Sequence, residues 1–187
     1  MLRIVAAVFI LLAGLVPVAA NPDFELGPKV GVVVPDIGTL LDNKSTPRSL
    51  QSLMGSKGLI LFFFRAASWC PYCQAQLMDL NSSLKQFKDR GYNLAGISYE
   101  DPAKNAAFIA ERGINYTLLS DPGSKIIDRF ELRDPQYKPG SMAYGVPRPI
   151  IFILDRHGVI KAKLYEDTFK KRPPATLVVE TLDKLQN

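Results

Sequence analysis

Residues 58–73 read Gly58-Leu59-Ile60-Leu61-Phe62-Phe63-Phe64-Arg65-Ala66-Ala67-Ser68-Trp69-Cys70-Pro71-Tyr72-Cys73. Leu59 to Phe64 is an unbroken apolar run, the pattern of a central strand covered on both faces. A short loop then leads to two cysteines separated by two residues. Pro71 suits the first position of a helix, because its fixed φ is helical and its missing N–H has no partner there anyway. Cys70 therefore sits at the helix cap, facing the free amides of the first turn and the positive end of the helix dipole. Both favour thiolate over thiol, and the thiolate is the form that attacks. Cys73 follows one turn later, so the two sulfurs can close a small disulfide. Cys70 attacks a partner and Cys73 resolves the mixed disulfide.

Outward from this unit, Leu77, Leu80, Leu84 and Phe87 recur at helical spacing, which predicts one helix from Pro71 to about Arg90. Lys85, Lys88 and Arg90 complement its C-terminal dipole and Gly91 stops it. Asn93 to Ser98 reads as a second strand, parallel to the first across a right-handed crossover. Asp101-Pro102 opens a helix that Gly113 ends, and Tyr116 to Leu119 is a short strand. Asp121-Pro122 repeats the device for a helix to about Phe130. Residues 131–146, with Pro135, Pro139, Gly140 and Gly145, form a loop bordering the site. Ile150–Leu154 and Val159–Leu164 are strands of a hairpin turning at Asp155-Arg156-His157-Gly158. Pro173-Pro174 open a terminal helix with Val178, Leu182 and Leu185 inward. Upstream, Val30–Val34 is a short strand, residues 37–48 a hairpin or loop, and Ser49–Met54 a helical turn.

The chain has 187 residues, enough for one domain with a sizeable core. Its net charge of +5 is scattered, with no basic stripe interleaved with stacking aromatics, so the composition argues against a nucleic-acid partner. Arg3 precedes an apolar run from Ile4 to Ala20. Val18 and Ala20 fit the small residues before a signal-peptidase cut, giving a signal peptide over 1–20 and a domain over 21–187. An uncleaved anchor is the alternative, but the run is short for spanning and contains Gly14 and Pro17. Either way the domain is exported, to a periplasm or outside the cell, with no stable membrane span in the mature protein.

An oxidising compartment permits structural disulfides, yet a bridge across two residues restrains little of the unfolded chain. A metal is not expected, since zinc needs about four ligands and His157, a turn residue, is the only histidine. Redox function is the remaining reading, with the Cys70–Cys73 disulfide itself in place of any cofactor. Arg65 is placed either to lower the thiol pKa of Cys70 or to sit on the surface. Trp69 reads as a packing lid, and Tyr72, exposed between the cysteines, as a group tuning the redox potential.

Trp69-Cys70-Pro71-Tyr72-Cys73 after an apolar strand resembles a thioredoxin-fold active site. The longer run from Phe63 through Cys73-Gln74-Ala75-Gln76-Leu77 resembles the peroxiredoxin-like redoxin branch, the alkyl hydroperoxide reductase/thiol-specific antioxidant family. The similarity extends from about Gly31 to about Asp167. It implies an α/β thioredoxin-like fold, a central mixed sheet flanked by helices, with an N-terminal extension and an inserted helix. It also implies a cis-proline facing the cysteines. Pro149 in Pro149-Ile150-Ile151-Phe152-Ile153-Leu154-Asp155 fits that role best, Pro147 being the competitor. A cis bond there turns the Arg148 backbone toward an extended substrate peptide.

The chain departs from these families in telling places. Phe64 stands where thioredoxins carry a buried acid, and Gln76 where some membrane-anchored relatives carry a Glu. Counting along the peroxiredoxin P-x-x-x-T-x-x-C pattern puts Phe63 for its Pro and Ala67 for its Thr, while its second arginine falls at Pro149. The leading expectation is therefore an exported thiol–disulfide oxidoreductase exchanging with protein thiols, disulfides or a thiol reductant. The alternative is a thiol peroxidase in which Cys70 forms a sulfenic acid from a hydroperoxide and Cys73 resolves it. A binding module with a passive disulfide is the third.

Overall fold

The computed structural model describes residues 25–186. The expected signal peptide over 1–20 lies outside them. The chain runs β1 (Leu40–Asp42), β2 (Pro47–Arg48), α1 (Leu50–Leu53), β3 (Gly58–Phe63), α2 (Pro71–Ser82), α3 (Leu84–Asp89), β4 (Tyr92–Ser98), α4 (Pro102–Arg112), β5 (Thr117–Ser120), α5 (Lys125–Arg129), β6 (Ile150–Asp155), β7 (Ile160–Tyr165) and α6 (Ala175–Lys184). The strands form one seven-stranded mixed sheet in the order β2-β1-β5-β4-β3-β6-β7. β3 pairs in parallel with β4 and antiparallel with β6, so it is the central strand its sequence predicted.

Every residue of β3 is buried. Because side chains alternate along a strand, one apolar run feeds two cores. Ile60, Phe62 and Phe64 enter the core under α2, α3 and α6, with Leu77, Leu80, Phe87, Val178 and Leu182. Leu59, Leu61 and Phe63 enter the core on the other face, with Ile126, Ile127 and Phe130. Each fully buried Leu, Ile or Phe contributes roughly 1.5–3 kcal/mol, so both layers are anchored on this strand. Gly96 of β4 is the close approach that admits it: a Cβ there would lie 2.5 Å from Phe62 Cζ.

Local structure departs from the sequence reading in four places. The helix expected from Pro71 to Arg90 breaks at Ser83 (φ −100°, ψ 5°) into α2 and α3, although its inner stripe stays buried. The strand expected at Val30–Val34 shrinks to a single bridge, Val33 to Val159. The helix expected from Asp121 begins only at Lys125. There the Asp121 carboxylate reaches past the turn to accept the Ile126 and Ile127 amides, both at 2.9 Å, so the acid caps from a distance. Finally, no peptide bond among the described residues is cis. Pro149 and Pro147 both keep the trans geometry that X-Pro bonds adopt by default, and the Arg148 N–H donates to the Leu132 carbonyl at 2.7 Å. The backbone amide expected to meet a substrate peptide is thus already taken.

Candidate active site

Cys70 occupies the N-cap of α2 (φ −99°, ψ 101°), with Pro71 in the first turn. Its carbonyl accepts the Cys73 and Gln74 amides, each at 3.0 Å. Its sulfur accepts the Cys73 N–H at 3.3 Å, so one orphan amide of the helix start points at it. Both cysteines are unbonded thiols and both are buried, Cys70 at 2 % exposure and Cys73 at 0 %.

The loop that delivers Cys70 is held from below by Glu100, which follows β4 and is 2 % exposed. One carboxylate oxygen accepts the amides of Ala67 at 2.5 Å and Ser68 at 3.2 Å. The other accepts the Ser68 hydroxyl at 2.5 Å. The Gln74 side chain closes the loop from the helix side by donating to the Ala67 carbonyl at 2.8 Å. Trp69 packs on the core beneath it and donates its indole N–H to the Tyr99 hydroxyl at 3.2 Å, which in turn donates to the Met142 carbonyl at 2.9 Å.

Arg65 does not reach the sulfurs. Its guanidinium is buried, donates to the Tyr137 hydroxyl at 2.6 Å, and lies over the rings of Phe169, Tyr137 and Trp69 at 4.1, 4.9 and 5.4 Å. Cation–π contact satisfies a cation whose Nε and Nη1 find no hydrogen-bond acceptor. Arg65 thus ties the loop before Cys70 to Tyr137 and Phe169, from two distant segments. Tyr72 is 40 % exposed, and its ring meets the same Phe169 edge-on at 6.0 Å.

The cation beside sulfur is Arg172, in the turn before α6, which donates through Nη2 to Cys73 Sγ at 3.6 Å. This sets the charge of the pair. Burial opposes a charge on Cys73, but the Cys70 thiol, the Ala66 amide and Arg172 outweigh it and lower Cys73 to about 6. Cys70 moves the other way: the hydrogen bond it gives to Cys73, with burial added, keeps its proton on. The cation thus lies beside Cys73 rather than beside Cys70, the sulfur expected to carry the thiolate. The helix start offers it one amide, while Cys73 has an amide, a thiol and a guanidinium.

Next to Phe169 lies a cavity of about 900 Å³, whose lining includes Arg148, Pro149, Asp134, Tyr165 and Phe169. Arg148 and Pro149 are therefore placed at a ligand-sized space, though not by the cis geometry expected of them. Among the described residues, no group of three or more His, Cys, Asp or Glu is placed to hold a metal. No helix among them is long and apolar enough to cross a membrane. Glu100, Arg172, Phe169 and Tyr137 were not singled out from sequence.

A family profile described as AhpC/TSA family matches residues 22–163. Peroxiredoxin Q of Arabidopsis thaliana is 33% identical over 156 residues, 83% of this chain and 66% of that protein. A Haemophilus influenzae relative is 31% identical over 147 residues, 79% of this chain and 92% of its own length. The chain spans just under two thirds of the first of these relatives, 66% of the Arabidopsis thaliana protein and 64% of the Populus jackii one. Among solved structures, the fold is similar to peroxidoxin BcpB of Mycobacterium tuberculosis, with TM-score 0.69 and 24% identity over 84% of this chain and 96% of that one. Peroxiredoxin Q of Xanthomonas campestris gives TM-score 0.67 and 20% identity over 80% and 92%. These relatives are peroxiredoxins, which overturns the leading expectation of a thiol–disulfide oxidoreductase acting on protein disulfides. The occupied Arg148 amide agrees with that correction.

Proposed function

The chain belongs to the AhpC/TSA family, and from that premise we propose that it is a thiol peroxidase that reduces hydroperoxides with the Cys70–Cys73 pair. The observation that carries this reading is a peroxiredoxin-type chain whose two sulfurs meet at the start of one helix, with a cation on one of them. In the first step the Cys70 sulfur attacks a peroxide oxygen. The O–O bond breaks, Cys70 becomes a sulfenic acid, and the leaving oxygen departs as alcohol or water once protonated. In the second step Cys73 attacks the sulfenic sulfur, the S–S bond forms, and hydroxide leaves to become water. Two electrons pass from the dithiol to the peroxide.

An external thiol restores the pair. Its thiolate attacks one sulfur, the other leaves as thiolate, and a second thiol of the reductant releases its own disulfide. Cys73 is the better leaving group, because a lower thiol pKa leaves faster and Arg172 is already beside it. Ala67 supplies no hydroxyl to polarise the O–O bond of the peroxide. The test is stopped-flow consumption of hydrogen peroxide with dimedone trapping. Wild type should consume peroxide without any protein disulfide present, Cys73→Ser should accumulate a dimedone adduct on Cys70, and Cys70→Ser should be inert. Peroxide consumption unchanged in Cys70→Ser refutes the assignment.

A further inference from the structure

Arg172 reaches the cysteines from the last turn before α6, in a stretch fixed at both ends. Downstream, the Ala175 N–H donates to the Asp79 carboxylate of α2 at 2.8 Å, which docks the start of α6 onto the helix that begins at the cysteines. Upstream, the Phe169 ring is held over Arg65 and against Tyr72. Within the turn, the Arg172 Nη1 donates to the carbonyls of Phe169 and Lys171. These acceptors orient the guanidinium without neutralising it. Its Nε is buried and makes no hydrogen bond. The partner left for its charge is sulfur, Cys73 Sγ at 3.6 Å, in a residue with no solvent exposure. A buried anion needs compensation of this kind, whereas a neutral thiol does not.

Building on the peroxidase reading, we propose that Arg172 is a catalytic residue. It holds Cys73 as the thiolate of the resting dithiol, so that Cys73 serves first as the base for Cys70 and then as the resolving nucleophile. The protons balance. As the Cys70 sulfur attacks the peroxide, its proton passes to the Cys73 thiolate. The neutral Cys73 thiol then protonates the departing alkoxide, which leaves as alcohol. Cys73, a thiolate again beside Arg172, attacks the sulfenic sulfur and displaces hydroxide. One thiol, one thiolate and one hydroperoxide become a disulfide, an alcohol and a hydroxide ion. The arrangement supplies by a second sulfur what Ala67 and Phe63 do not provide here. The groups that face Cys73 are the Cys70 thiol on its own helix, the Ala66 amide from the loop and Arg172 from the turn before α6.

The test separates charge from chemistry. In the full chain carrying Cys70→Ser, thiolate absorbance near 240 nm is titrated with Arg172, Arg172→Lys and Arg172→Gln. The Gln variant should titrate at least about one pH unit higher than its parent, the effect of removing an opposite charge at this range, and the Lys variant should recover part of the shift. An unchanged midpoint, or equal rises in Gln and Lys, overturns the role of Arg172, since charge rather than shape is invoked. With both cysteines present, Arg172→Gln should slow peroxide consumption about tenfold or more. Failure of the wild type to consume peroxide would overturn the peroxidase reading and the proton relay, while the titration alone still decides whether Arg172 sets the charge of Cys73.

Discussion

Replacing Glu100 should loosen the loop that carries Cys70, and the structure sets the size of the effect. The carboxylate is 2 % exposed and accepts three hydrogen bonds from Ala67 and Ser68. Ser68 is exposed, so its groups turn to water when the carboxylate is removed, but Ala67 is fully buried and its amide does not. An orphaned buried amide costs about 1–3 kcal/mol, and the hydrogen bond it loses is of the stronger, charged kind. Truncation also leaves a void where one methylene and a carboxylate stood, worth roughly another 1–2 kcal/mol. Glu100→Ala should therefore lose about 3–4 kcal/mol, a large part of the 5–15 kcal/mol available to a domain. Glu100→Gln keeps one acceptor and the volume and should lose about half as much. Urea unfolding of the reduced proteins, monitored by Trp69 fluorescence, measures both. A loss below about 1 kcal/mol for Glu100→Ala would refute the reasoning, because it would mean the loop is fixed by its neighbours and not by the carboxylate.

Two further outcomes follow from the same geometry. Cys73 titrates at about 6 when folded, below the ordinary value of about 8.5, and a depressed group contributes stability above its unfolded pKa that is lost as pH falls through the folded one. Stability of the reduced protein should rise between pH 6 and about 8.5 with a slope of up to ~1.4 kcal/mol per unit, then decline as the retained Cys70 proton acts in the opposite sense; Cys73→Ser should remove the rise, and an identical slope in both proteins sinks the assignment. Gly96→Ala places a methyl against the fully buried Phe62 and Leu118, 2.5 and 3.0 Å away. Overpacking of this kind should lower stability by about 1–3 kcal/mol despite the gain from a stiffer unfolded chain, and a more stable variant in thermal unfolding would show that the layer yields.

Much of this molecule was legible because its determinants are local. Leu59 to Phe64 announced a strand buried on both faces, and Pro71 announced the helix that begins beside Cys70. Both are statements about neighbours in sequence. The site's supporting residues are not local. Glu100 meets Ala67 across 33 positions and Arg172 meets Cys73 across 99. In sequence, Glu100 is an acid ahead of the helix cap Asp101, and Arg172 ends a run with Lys170 and Lys171 that reads as a solvated face. Arg65, read as either a neighbour of the Cys70 thiol or a surface residue, is neither, for a related reason. Its proximity to Cys70 in sequence suggested contact, but the aromatic rings of Trp69, Tyr137 and Phe169 drew the guanidinium elsewhere. The functional correction has another origin. Cys70-Pro71-Tyr72-Cys73 is compact and pointed to disulfide exchange, whereas the match to the AhpC/TSA family extends over residues 22–163.

The turn bearing Phe169 and Arg172 has a consequence for when the molecule becomes reactive. Chains are made from the N-terminus, so the sulfurs emerge and their strand can form about a hundred residues before their cation has been added. A C-terminally clipped chain would keep the helix start and the Ala66 amide beside the sulfurs but lack the guanidinium. The guanidinium is brought to its place as α6 docks on Asp79. The charge that one sulfur meets is therefore set by the fold of a distant segment and not by its own helix alone.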